Sequence, residues 1–237
     1  MKILAIECSA TPCSVAIIED EKIICSSFVN VKLTHSQTLI PMVENSLKSA
    51  NLTFDDIEGF AVGKGPGSFT GIRIGISAVK GLAAPKKLPC VGVSTLLGIA
   101  ENFIDRDCIV CAVMDARCNQ VYNALFKISD GIITRLCEDR ALMCDELKKE
   151  IEALAFDGES IIVAGDGAEL FYQYVEKLKN VSLADIKERF QNAVGIGRAS
   201  LNNFKNNETL SSSEILPFYL RLPQAERELK LKKEKRK

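Results

Sequence analysis

Ile57-Glu58-Gly59-Phe60-Ala61-Val62-Gly63-Lys64-Gly65-Pro66-Gly67-Ser68-Phe69-Thr70-Gly71-Ile72-Arg73-Ile74-Gly75 changes character twice along its length. Ile57 to Val62 reads as a strand, Gly63 to Gly71 is rich in glycine, and from about Ile72 to Ala83 the pattern is helical. A strand that turns through glycines straight into a helix is the building unit of an α/β fold. On the N-terminal side, Lys2 to Cys8 is a nearly continuous apolar run, as expected of a strand buried on both faces. Ser14 to Ile18 and Ile23 to Val29 complete an antiparallel meander through the turn Glu19-Asp20-Glu21-Lys22. Thr34 to Ala50 carries Leu39, Met42, Val43 and Leu47 at helical spacing, with Thr34 or Ser36 as N-cap and Pro41 near the first turns, where it can kink the helix. On the C-terminal side, the loop Ala84 to Pro89 ends the helix, Cys90 to Val93 is a short strand, and Ser94 caps another helix.

A second copy of this layout begins near Asp107. Cys108 to Met114, Gln120 to Ile128 and Ile132 to Leu136 read as strands, and Asp130-Gly131 is a hairpin turn. A helix over Asp145 to Leu154, a strand over Ser160 to Ala164 and helices near Ala168 to Leu178 and Gly195 to Phe204 follow. The expected organisation is a first lobe over 1–105, to which 208–223 returns, a second lobe over 106–207 and a charged tail over 224–237. The tail has seven basic and three acidic residues, which leaves a body of 23 basic against 28 acidic. Such a tail reads as a solvated terminus rather than as a nucleic-acid or partner contact.

The 237 residues, 47% apolar and 26% charged, have the make-up of a soluble globular protein, and the net charge of -1 argues against a surface built mainly for nucleic acid. No apolar run approaches the ~18 residues of a membrane span, and Met1-Lys2-Ile3-Leu4 lacks a signal-peptide layout, so a cytoplasmic protein is expected. The nine cysteines, Cys8, Cys13, Cys25, Cys90, Cys108, Cys111, Cys118, Cys137 and Cys144, read as reduced packing residues. Cys108 and Cys111 form the one C-x-x-C, but three residues apart on a strand they point to opposite faces.

The glycine loop suits phosphate, because a helix N-terminus presents free N–H groups and the positive end of its dipole. Yet Gly65, Gly67 and Gly71 are spaced one residue too widely for G-x-G-x-x-G, and no Gly-Lys-Ser/Thr closes a Walker loop. A tight turn with close helix packing explains the glycines equally well. Gly71, Gly75 and Ala78, with Leu82, form a strip of small residues along the next helix. Two glycines there cost about 1 kcal/mol each, which close approach of another backbone would offset. That neighbour is either this lobe itself or a second chain.

Catalytic candidates are scarce. His35 is the one histidine, so no paired-histidine metal motif exists, and near a helix start it reads as a surface or capping residue. Asp115 and Arg117 suggest a site or a local ion pair. Glu7, at the end of the first strand, suits a nucleotide-bound metal or a plain edge carboxylate, and Ser9-Ala10-Thr11-Pro12 offers hydroxyls without a base. No catalytic residue and no metal ligand is nominated.

Six phrases resemble the TsaB family of tRNA threonylcarbamoyladenosine biosynthesis proteins, which sits in the YeaZ, glycoprotease-like superfamily. They are Lys2 to Glu7, His35 to Val43, Gly65 to Gly75, Val91 to Leu96, Met114 to Arg117 and Phe218 to Arg221, in order along nearly the whole chain. Gly65-Pro66-Gly67-Ser68-Phe69-Thr70-Gly71 is the most specific of them. The resemblance implies an α/β, actin-like and Hsp70-like (ASKHA) two-lobed fold with pseudo-duplicated mixed sheets flanked by helices. It further implies a degenerate, non-catalytic relative of the TsaD subunit, without TsaD's paired-histidine metal site. Its partners would be a TsaD-type catalytic subunit, a TsaE-type ATPase, tRNA reached through the complex, and a second copy when the chain is alone. The interface would use His35, Leu39, Met42, Val43, Gly71, Ile72, Gly75 and Ala78. No cofactor is expected to bind tightly; ATP or ADP at the partner interface would meet Glu7, Gly65, Gly67 and Ser68. Many members have Asp-Thr where this chain has Glu7-Cys8, and 136–207 offers little to match. The rival readings are a metal-dependent endopeptidase, which needs a ligand set, and an independent actin-like kinase, which needs a working phosphate carboxylate.

Overall fold

A computed structural model of the chain describes residues 1–221; the charged tail at 224–237 lies outside the described residues. The first sheet holds β1 (Lys2–Glu7), β2 (Cys13–Glu19), β3 (Lys22–Val29), β4 (Gly59–Gly65) and β5 (Cys90–Ser94) in the order β3-β2-β1-β4-β5. The meander pairs antiparallel, while β1, β4 and β5 run parallel. Helices α1 (His35–Ser49) and α2 (Phe69–Ala83) make the crossovers, and α3 (Thr95–Ala100) leaves the last strand. Ser94 caps α3, its Oγ accepting from the Leu97 N–H at 3.3 Å.

The second sheet repeats the plan. After β6 (Cys108–Asp115), β7 (Gln120–Ser129) and β8 (Ile132–Arg135) come β9 (Arg140–Met143), α4 (Cys144–Phe156), β10 (Ile161–Ala164), α5 (Ala168–Val175), β11 (Val181–Leu183), α6 (Ile186–Arg189) and α7 (Ala193–Lys205). The order β8-β7-β6-β10-β11 maps strand for strand onto the first sheet, with β9 added against β7. Again the meander is antiparallel and the later strands parallel. This duplicated mixed sheet flanked by helices is the actin-like layout. Asp130 and Gly131 both have positive φ, 52° and 71°, as a two-residue turn between twisted strands demands. The short β9, β11 and α6 carry too few residues to show a period and are absent from the sequence reading.

The apolar run of β1 has its reason in two cores. Leu4 and Ile6 pack with Leu39, Val43, Ile72 and Ile76 under α1 and α2; Ile3 and Ala5 pack with Ile196 and Phe204 of α7. Each such aliphatic side chain contributes about 1.5–3 kcal/mol when fully buried. Helix α7, placed by sequence in the second lobe, thus lies on the first sheet. It covers the first sheet's second face together with Leu97 of α3. Gly197 permits the approach, since a Cβ there would overlap Ile18, and Gly195 lies against the Gly98 carbonyl of α3. Leu210 to Tyr219 run along the first lobe. Leu210 exchanges two backbone hydrogen bonds with Cys90 at 2.8 and 2.9 Å, and Ile215 is buried in the core beneath.

Cys108 and Cys111 fall in different cores on opposite faces of β6. Among the described residues no group of three or more His, Cys, Asp and Glu could hold a metal, and no helix is long and apolar enough to cross a membrane. All nine cysteines are free thiols, but Cys118 is exposed in the β6–β7 turn rather than packed. Alkylation of the native protein followed by mass spectrometry is therefore expected to label Cys118 first. Cys8, Cys13, Cys90, Cys108, Cys111 and Cys144 should react only on unfolding, and reductant should leave the melting temperature unchanged.

Candidate functional site

The ends of β1 and β6 face one another across a cleft of ≈ 440 Å³, between the β1–β2 turn at Ser9 to Thr11 and the β6–β7 turn at Ala116 and Arg117. Gly67 and Ser68 form one wall. Gly67 is glycine because its φ is +154° and a Cβ would overlap the Ser9 carbonyl. The Ser68 N–H donates to that same carbonyl at 2.5 Å, and Ser68 Oγ caps α2 by accepting from the Gly71 N–H at 3.3 Å. The loop therefore spends these groups on its own turn and helix.

The two other residues expected to meet phosphate do not line the cleft. Gly65, at φ +114°, lies under the Phe218 carbonyl, where a Cβ would overlap it. Glu7 is fully buried; its Oε1 accepts from the Ser9 N–H at 2.5 Å, while Oε2 packs on Gly63 without a hydrogen-bond partner. Burial pushes its pKa to about 7; hydrogen bonds from Ser9 oppose the rise and the charge of Asp166 adds to it. Asp166, on the cleft floor, is likewise raised to about 7 by burial and then by the nearby Asp115. A carboxyl turned inward onto Gly63 and fully buried, with its charged form disfavoured by that burial, is a poor ligand for a phosphate-bound cation, so the donors of this chain alone do not fit a nucleotide held through Glu7.

Ser9 Oγ and Asp166 Oδ1 are buried at the cleft without a hydrogen-bond partner, while Asp115 and His35 are engaged locally. Asp115 Oδ1 accepts from the Arg117 N–H at 2.7 Å and its Oδ2 lies 3.3 Å from the Arg117 guanidinium, a turn and ion pair rather than an acid–base set. His35 Nε2 is 2.7 Å from the Ala10 carbonyl oxygen, to which it donates, tying the start of α1 to the β1–β2 turn.

The helix pair corrects the expected interface. Leu39, Met42, Val43 and Ile72 are buried in the first lobe's own core. Gly71 lies against the Cys8 carbonyl, and a Cβ on Gly75 would lie 2.8 Å from Cys8 Sγ and 3.3 Å from Val62 Cγ2. The strip of small residues thus packs on β1 and β4, and the close neighbour is this lobe's own sheet. Of the expected set, His35 and Ala78 reach the surface, and the buried Leu39 lies beneath them. These residues border an open groove of ≈ 660 Å³ between α1 and α2, with Ile40, Phe69, Arg73 and Ile74. Ile40 is 39% exposed although apolar. The signal for Ile40 and Ile74 was present in sequence, since both are apolar residues one step off the inward stripe.

The family model described as tRNA N6-adenosine threonylcarbamoyltransferase, TsaD, matches residues 29–227. The chain is 32% identical to the tRNA threonylcarbamoyladenosine biosynthesis protein TsaB of Escherichia coli (strain K12), covering 93% of this chain and 95% of that one. It is 28% identical to the protein of the same description from Bacillus subtilis (strain 168), covering 95% and 96%. The solved structure of YeaZ from Pseudomonas aeruginosa is similar at a TM-score of 0.79 and 27% identity, over 92% of this chain and 99% of that one.

Proposed function

The chain belongs to the TsaB family of tRNA threonylcarbamoyladenosine biosynthesis proteins, and from that premise we propose that it serves as a non-catalytic subunit that docks a TsaD-type transferase through the groove between α1 and α2. The groove is the observation that carries the reading. Its apolar members Ile40, Ile74 and Ala78 stand on two adjacent helices whose other faces are already packed, so a second helix pair can lie along them at an ordinary 8–10 Å separation. His35, the one histidine, is engaged with Ala10, which supports a partner role over a chemical one. In this reading a TsaE-type ATPase and the tRNA join through the complex, and any nucleotide sits where the partner completes the site. Alone, the same face would pair two copies.

Ile74→Asp tests the docking. The side chain is half-buried at the edge of the core and on the groove, so the variant should still fold, with a lower melting temperature, while placing a charge against the partner's apolar helices. Titration against the purified TsaD-type subunit is expected to show affinity weakened at least ~tenfold, about 1.4 kcal/mol. Wild-type affinity would move the docking face elsewhere.

A further inference from the structure

We infer that Tyr219 is a positioning residue for the docking face, holding Phe69 and Arg73 in place before the partner arrives. The inference rests on the docking reading above and adds to it the segment Leu210 to Arg221. That segment is anchored along the first lobe. Lys80 Nζ donates to the Ser213 carbonyl at 3.1 Å, and the Phe218 N–H donates to the Lys64 carbonyl at 2.7 Å. Gly65 lets the Phe218 carbonyl press onto the glycine loop. Past that anchor, Tyr219 stacks on Phe69 with ring centroids 4.5 Å apart, and its hydroxyl accepts from Arg73 Nε at 2.8 Å. The Arg73 guanidinium lies 3.9 Å over the Phe69 ring and 5.8 Å from that of Tyr219. Arg221 then crosses the cleft, its Nη1 donating to the Ala116 carbonyl of the second lobe at 2.8 Å.

Phe69 borders both the cleft and the groove, and Arg73 borders the groove, so the segment that holds them through Tyr219 sets the shape of the groove's wall. An exposed arginine on a helix surface samples many rotamers, and ordering it on binding costs part of the affinity. Stacked on Phe69 and hydrogen-bonded to Tyr219, Arg73 meets the partner already ordered. The Tyr219 ring and its hydroxyl are the groups that hold Phe69 and Arg73 there. Their loss is read as weaker docking rather than as unfolding, because Tyr219 lies outside the two cores of this lobe.

The experiment compares Tyr219→Ala, Tyr219→Phe and the groove variant Ile74→Asp, each titrated against the purified partner with its melting temperature recorded. Tyr219→Ala is expected to bind about tenfold more weakly at an unchanged melting temperature, and Tyr219→Phe, which keeps the stack, to stay within about threefold of wild type. If Ile74→Asp loses binding while Tyr219→Ala keeps it, the positioning role falls and the docking face stands. If Ile74→Asp binds normally, the docking face falls and the positioning role with it. Should Tyr219→Ala fail to fold, Arg73→Gln removes the guanidinium from outside the core, and wild-type affinity in that variant overturns the inference.

Discussion

Gly75→Leu is expected to destabilise the isolated protein by about 3 kcal/mol, the upper part of the range for overpacked cores. A Cβ alone would lie 2.8 Å from Cys8 Sγ, tighter than real contacts allow, and the further carbons of leucine would meet Val62 and Ile6. The gain in helix propensity, nearly 1 kcal/mol, does not offset this. For a chain of this size the loss should lower the melting temperature by roughly 6–12 °C. Gly71→Ala should behave alike, because its Cβ would overlap the Cys8 carbonyl, a backbone atom that cannot rotate aside. Calorimetry of the two variants checks the point. Wild-type melting with lost partner binding would return the strip to the surface.

That reversal marks where local pattern stops being informative. The strip Gly71, Gly75 and Ala78 announces that something comes close, but a period along one helix carries no label for the neighbour, which is β1, more than sixty positions upstream for Gly71 and Cys8. The same holds for β1 itself. Its unbroken apolar run correctly implied burial on both faces, yet nothing local says that the second cover is α7 at Ala193–Lys205. The duplicated strand order was legible because each meander and each glycine turn is encoded within a few residues. Glu7 was found at its strand end by position, but its inward orientation depends on Gly63, and the Tyr219–Arg73 pair spans 146 positions. Met42 and Val43 show the converse case, packed in the lobe's own core, while Leu39 packs there and also lines the groove. A strong apolar stripe at helical spacing is core first, and the docking surface is better sought in the apolar residues that break it, here Ile40 and Ile74.

The charge state of Glu7 should be visible in the pH dependence of stability. Its pKa rises from an ordinary 4.5 to about 7 on folding, chiefly through burial. Between those values the folded protein holds a proton that the unfolded chain has released. Stability therefore falls as pH rises through this window, by about 1.4 kcal/mol per unit, and is level above it. From pH 5.5 to 7 the Glu7 share is about 2 kcal/mol. Asp166 and Glu101, each raised to about 7 by burial, push in the same direction, Arg198 partly opposing the rise at Glu101. Glu7→Gln keeps a carbonyl oxygen for the Ser9 N–H and removes the ionisation. It is expected to match wild type at pH 5 and to exceed it by about 2 kcal/mol at pH 8, flattening part of the profile. Denaturant melts of both proteins at the two pH values decide it. A wild type that gains stability toward pH 8, or a variant that loses it there, would mean that Glu7 is charged in the folded state and paired with a cation. The carboxyl would then be available to the cleft after all, and the case against nucleotide held through Glu7 by this chain alone would have to be given up.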